Sequence, residues 1–156
     1  MGAPDPVALR PARAEDARIL ADIHMIARRE ATPYAVSPYG PAQTYAWFET
    51  GVIDAAVAWW VAERSGVIVG YIKMTPKQLD HLYVLPVHQG LGIGARLLDH
   101  AKTLSAGRLG LFCFARNAQA RRFYEARGFR AVAFRDGSQN DEHEPDVVYE
   151  WTAPPR

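Results

Sequence analysis

The chain of 156 residues contains a single cysteine, Cys113. One thiol cannot build an intrachain disulfide framework or a cysteine-based zinc site. His24, His88 and His100 lack the spacing of metal ligands, so no metal is expected. No apolar run reaches the roughly 18 residues that a membrane-spanning helix needs. The opening stretch MGAPDPVALRPARAED has no apolar segment of the kind a secretory signal carries, and the residues after Gly2 do not fit a myristoylation site. Charge of either sign is not in excess: 18 basic against 17 acidic residues leave +1. The composition therefore gives no reason to expect a nucleic-acid or membrane partner. A cytoplasmic protein is expected.

What is present suffices for one core. The length fits one domain, residues 1–156, and apolar residues make up 49%. VALRPAR reads as a short strand. AEDARILADIHMIARREA reads as an amphipathic helix, with Ile19, Ile23, Ile26 and Ala27 at helical spacing and Glu15 and Asp16 in its first turn. AQTYAWFETGV is a shorter helix. Two β-rich runs flank Ser65-Gly66 as a hairpin. LDHLYV is a third strand, stopped by Pro86. ARLLDHAKTLSAG is a helix with Ile93, Leu97, Leu98, Ala101 and Leu104 inward and Gly107 at its end. RLGLFCFA is a strand, and NAQARRFYEARGF a helix with Asn117 as N-cap and Gly128 as C-cap. FRAVAFR and DVVYEWT are the last strands. The order β-α-α-β-β-β-α-β-α-β-β predicts a mixed α/β domain, one sheet with helices on its faces.

Between the third strand and its helix stands QGLGIG, with Gly90, Gly92 and Gly94 on alternate positions. A strand, a glycine turn and a helix N-terminus aim backbone N–H groups at one spot, which suits a phosphate. The Walker loop is excluded because Ala95 and Arg96 follow Gly94 where Lys and Ser or Thr are required. The dinucleotide fingerprint is excluded by the Gly-x-Gly-x-Gly spacing, the late position and the missing acidic residue near Cys113 and Phe114.

QGLGIG resembles the Gln/Arg-x-x-Gly-x-Gly/Ala signature of the GNAT superfamily of acetyl-CoA-dependent N-acetyltransferases. LYVLP before it, ARLLDHA after it and the downstream pattern Asn117-x-x-Ala120-x-x-Phe123-Tyr124-Glu125-x-x-Gly128-Phe129 agree with the same family, and the match is strongest from Leu79 to Phe129. The resemblance implies a mostly antiparallel mixed sheet splayed between its fourth and fifth strands. It implies that the diphosphate of coenzyme A rests on the amides of Gln89, Gly90, Leu91, Gly92, Ile93, Gly94 and Ala95. It also implies that pantetheine pairs with main chain at Leu82 and Val84, with Asn117 bonding the same arm. Acetyl-CoA would enter as cosubstrate, and an amine would attack its thioester directly.

That chemistry needs a proton donor for the departing thiolate and an acceptor for the amine proton. Tyr124 occupies the family's acid position. For the base, strand alternation puts Gln78, Asp80, Leu82 and Val84 on one face and His81 and Tyr83 on the other. Gln78 takes no proton at neutral pH, so Asp80 is the expected base, directly or through a water. His81 has the better basicity but the wrong parity unless a bulge turns it. Cys113 reads as buried and inert. Arg121, Arg122 and Arg127 read as a solvated helix face from which one guanidinium could reach a coenzyme A phosphate.

The acceptor is expected in the variable segments: Tyr34 and Tyr39, then Tyr45, Trp47 and Phe48, and the acidic loop with Asp136, Asp141, Glu142, Glu144 and Asp146. A small amine is favoured over a protein amine, and a homodimer stays open. The alternative is a non-catalytic acyl-CoA-binding or sensing domain on the same fold, to which Gln78 in place of an acid would be suited. A nucleotide-binding protein is the third reading.

Overall fold

The computed structural model describes residues 6–156. The expectations about the first five residues, no secretory signal and no acylation at Gly2, lie outside the described residues. The elements follow the expected order: β1 (Val7–Pro11), α1 (Ala17–Ala31), α2 (Pro41–Val52), β2 (Ala58–Arg64), β3 (Val67–Met74), β4 (Leu79–Val84), α3 (Ile93–Leu104), β5 (Arg108–Phe114), α4 (Ala118–Glu125), β6 (Arg130–Arg135) and β7 (Asp146–Thr152). Single 3-10 turns precede α1 and follow β4.

The strands form an antiparallel sheet in the order β1-β2-β3-β4 and a second in the order β5-β7-β6. One parallel bridge, Gln78 to Gly110, joins them at the root of β4 and β5. Gly110 N–H donates to Lys77 C=O at 2.9 Å at the same place. Beyond this root the two strands separate, which is the expected splay.

The β1–β4 sheet carries a core on each face. On one side α3 packs Ile93, Leu97, Leu98 and Ala101 against Val69, Ile72 and Met74. On the other, α1 and α2 pack Leu20, Ile23 and Phe48 against Trp59, Val61 and Tyr71. The buried stripe of α1 runs through Ala17, Leu20, Ala21, Ile23 and Ala27. Ile19 and Ile26 are 46% and 43% exposed, so the expected stripe is corrected by rotation toward Leu20. In α3, Leu104 sits half exposed because the helix ends there under a Ser105 cap, before Gly107 is reached. In α4 the C-cap is Ala126, and the left-handed Gly128 lies two residues further on.

Candidate functional site

Two cavities open along the splay. One, of about 500 Å³, is lined by Leu82, Val84, Gln89, Gly90, Gly92, Ile93, Gly94, Ala95, Asn117 and Tyr124, among others. The structure thus brings together every expected coenzyme-binding residue except Leu91, whose side chain is 56% exposed. The other cavity, of about 400 Å³, lies between the second half of α1, the diverging β4 and β5, and the β6–β7 loop. Tyr124 lines both.

The ladder geometry gives β4 a free edge. Leu85 N–H donates to Val69 C=O at 2.8 Å. The hydrogen-bonding pairs of the β3–β4 ladder are then Tyr71–Tyr83 and Lys73–His81, and the intervening Ile72–Leu82 and Gly70–Val84 pairs turn their peptide groups outward. Leu82 and Val84 therefore aim N–H and C=O across the gap toward β5. The Val84 carbonyl is taken by Gln89 Nε2 at 3.0 Å. Gln89 thereby ties the glycine turn to the end of β4, a role the sequence did not reveal.

The turn itself is a nest of donors. Gly90 and Gly92 adopt φ of +80° and +82°, and a Cβ at either would stand in open space. Gly92 is the N-cap of α3, and the first i to i−4 bond at this end runs from Arg96 N–H to Gly92 C=O. From Gly90 to Ala95 no backbone N–H donates to an acceptor among the described residues. Six free amides at a helix N-terminus match an anion with several oxygens. Gly94 differs from its neighbours: its Cβ would meet the Phe123 ring at 3.5 Å, an ordinary contact.

At α4, Asn117 Oδ1 accepts from Ala120 N–H at 3.2 Å, so it caps the helix as expected while lining both cavities. Tyr124 packs edge-on to Phe123 and Phe129. Its hydroxyl makes no hydrogen bond among the described residues. Burial, with smaller contributions from Cys113 and Tyr83, pushes its phenol well above the usual tyrosine range. It stays protonated throughout the neutral range. Cys113 is buried, donates weakly to the Phe114 carbonyl and is pushed up to about 11 by burial, which agrees with an inert thiol.

The expected parity of β4 is corrected by a bulge. Lys73 pairs with His81 and Met74 with Leu79, leaving Asp80 with no residue opposite. Leu79, not Asp80, is buried in the core on the α3 side. Asp80 reaches Lys73 Nζ at 3.5 Å. Asp80 and His81 both line the smaller cavity. His81 sits on the α1 side of the sheet, its ring stacked on His24 at 5.0 Å and on Trp47 at 5.5 Å. Burial, reinforced by His24, Lys73 and Arg28, drives the His81 imidazolium well below the usual histidine range. Burial and Arg28 bring His24 down to about 3. Both rings are neutral at neutral pH.

The acidic loop is not a free patch. Glu142 pairs with Arg28 at 2.9 Å, Glu144 with Arg116 at 2.5 Å, and the buried Asp146 with Arg135 through two contacts of 2.6 Å. Asp141 accepts from the Tyr39 hydroxyl at 2.8 Å, and Asp136 accepts from Ser138 N–H in the adjoining turn. Glu142, Glu144 and Asp146 are thus each paired with an arginine, whereas Asp136 and Asp141 accept only from neutral donors among the described residues. Among the aromatic candidates, Phe48 is fully buried in the core, Tyr45 bonds Asp22, and Tyr34 lies beneath Arg116. Trp47 stacks on His81 and Tyr34 packs edge-on to Phe114, and both of those partners line the smaller cavity. Arg122 and Arg127 line the larger cavity, whereas Arg121 turns away to the Tyr149 hydroxyl.

Sequence reasoning missed Tyr71, which joins the two histidines, and the cavity role of His24 and Arg28. These reside on α1 and β3, and only tertiary packing brings them to β4.

Residues 55–131 match the model of the acetyltransferase (GNAT) domain. The chain is 31% identical over 98 residues to N-alpha-acetyltransferase 40 of Saccharomyces cerevisiae, a match covering 53% of this chain and 34% of that protein. It is 39% identical over 80 residues to the peptidyl-lysine N-acetyltransferase YjaB of Salmonella typhimurium, covering 51% and 54%. These matches span between about a third and a half of the relatives' own length. The fold superposes on YncA of Salmonella typhimurium, solved with its cofactor acetyl-CoA, with a TM-score of 0.72 at 20% identity, covering 97% and 96% of the two chains. The motif match and these likenesses agree: residues 55–131 match the GNAT acetyltransferase domain, and the fold, with its splayed sheet, is that of GNAT structures.

Proposed function

We propose that the 156 residues act as one N-acetyltransferase unit that moves an acetyl group from acetyl-CoA to a primary amine by direct attack. One observation carries the reading: Gly90 and Gly92 to Ala95, whose amides have no acceptor among the described residues, line one cavity together with the outward peptide group of Leu82 and the outward N–H of Val84, and Tyr124 connects it to a second. The amides and the open space over Gly90 and Gly92 fit a diphosphate. The free edge of β4 fits an extended amide-bearing arm laid beside it as an added strand, and Asn117 can bond the same arm.

Bound acetyl-CoA supplies an activated thioester. A backbone N–H of β4 polarises its carbonyl. Tyr124 gives its proton to the departing thiolate. The amine proton leaves at the β4 bulge, where Asp80 and His81 lie next to each other. No covalent protein intermediate is required, in keeping with the unreactive Cys113. The acceptor cavity of about 400 Å³ suits a small amine or the tip of a longer one.

Release of free thiol from acetyl-CoA, measured against putrescine, amino acids, an aminoglycoside and peptides with a free N-terminus or a lysine, tests the reading. Thiol release that depends on one class of amine supports it. Tight acetyl-CoA binding with no amine-dependent release would point to the sensing domain instead.

A further inference from the structure

We propose that His81, Tyr71 and His24 form a proton relay, with His81 as the group that takes the proton from the attacking amine. The proposal rests on the acetyltransferase reading above.

Tyr71 is fully buried between the two imidazoles. Its hydroxyl oxygen lies 2.8 Å from His81 Nδ1 and 3.3 Å from His24 Nδ1. A phenol has one hydrogen. It can donate to only one Nδ1, so the other imidazole must carry its own hydrogen on Nδ1 and donate it to the phenol oxygen. That second ring keeps a bare lone pair on Nε2. Both histidines line the acceptor cavity, and neither Nε2 has a partner among the described residues.

The rings cannot swing away. His81 is held between His24 on one face and Trp47 on the other, with interplanar angles of 15° and 23°. The titratable and charged groups facing the pair are Arg28 from α1, Lys73 and Tyr71 from β3, and Asp80 and Tyr83 from β4, with Glu142 of the β6–β7 loop bound to Arg28. From α2 only rings face it. Asp80 is engaged by Lys73, whereas the lone pair of the relay is unengaged.

The protons balance as follows. As the C–N bond forms and the C–S bond breaks, the amine proton passes to Nε2 of His81. The Nδ1 hydrogen of His81 moves to the Tyr71 oxygen, and the phenol hydrogen moves to Nδ1 of His24. His24 then releases its Nε2 hydrogen to water, and the thiolate takes the proton of Tyr124. Tyr71 and His24 act through His81 and are positioning residues.

Two measurements test the relay. Long-range proton–nitrogen spectra of the protein labelled with nitrogen-15 histidine report each tautomer without any substrate. At pH 7 His24 and His81 should both be neutral, with the hydrogen on Nδ1 of His81 and on Nε2 of His24, the reverse assignment excluding His81 as acceptor, and Tyr71→Phe should abolish that enforced opposition. The same tautomer in both rings, or an imidazolium in either, would overturn the relay. With the amine that the thiol-release panel identifies, His81→Gln should lower kcat about a hundredfold, with little change in acetyl-CoA affinity and a deficit that shrinks as pH rises. Asp80→Asn should lose less. The reverse ranking would overturn the assignment of His81. If no amine is acetylated, the acetyltransferase reading fails, while the tautomer spectra still decide the geometry of the relay.

Discussion

Gly92 and Gly94 stand two residues apart in the same turn, yet they should respond oppositely to a side chain. Gly92 has φ of +82°, so Gly92→Val forces a β-branched residue into the left-handed region at about 1–3 kcal/mol. Its Cβ also projects into the open space over the free amides. Gly94 lies inside the first turn of α3, where alanine is favoured over glycine by roughly 0.5–1 kcal/mol, and its Cβ makes an ordinary contact with Phe123. At this length 1 kcal/mol is about 2–4 °C in Tm. Acetyl-CoA at a hundred times its Kd adds about 2.7 kcal/mol, which converts to about 5–10 °C. Gly94→Ala should therefore melt slightly higher than the parent and keep the full acetyl-CoA increment. Gly92→Val should melt lower and lose the increment. Strain alone is controlled by Gly66→Val, since Gly66 has φ of +76° in the β2–β3 turn and lines neither cavity. That variant should melt lower and keep the increment. Differential scanning fluorimetry with and without acetyl-CoA reads all three. A full increment in folded Gly92→Val would refute the phosphate cradle.

Tyr124→Phe should lower kcat by about tenfold to a thousandfold with acetyl-CoA affinity nearly unchanged, because the ring packing survives; steady-state kinetics check it, and parent turnover would reduce Tyr124 to a packing role. His24 and His81 have folded pKa values below their unfolded ones, so the unfolded chain binds more protons as pH falls through the usual histidine value. Stability should be flat above about pH 6.5 and fall below it, by up to about 1.4 kcal/mol per pH unit for each histidine; urea melts of the parent and of His24→Gln should show a shallower decline in the variant. Asp146→Asn removes the charge that holds Arg135 and strains the bond to Asn140, at about 3–5 kcal/mol. Thermal melting should register that loss.

Much of the fold was legible because its signals are local. The hairpin at Ser65-Gly66, the cap at Asn117 and the glycine turn are each written in a few adjacent residues. The site was legible where it is built from such segments, as at Gly90 to Ala95 and at α4. It was not legible at β4, where a one-residue bulge moved Leu79 into the core and set Asp80 against Lys73. Alternation carries no mark of a bulge whose cause is the cross-strand register. The pairing of the acidic loop was hidden for a similar reason, since Arg28 and Arg116 come from distant positions and Arg135 meets Asp146 through the β6–β7 register.

The most direct measurement is a single turnover with isotope-labelled acetyl-CoA and the accepted amine, followed by mass spectrometry of both amine and protein. The label should appear on the amine nitrogen with an equal amount of free thiol, and none on the protein at any time. Label on Cys113 or another side chain ahead of the amine, or thiol release without an acetylated amine, would contradict direct transfer in the splay between β4 and β5.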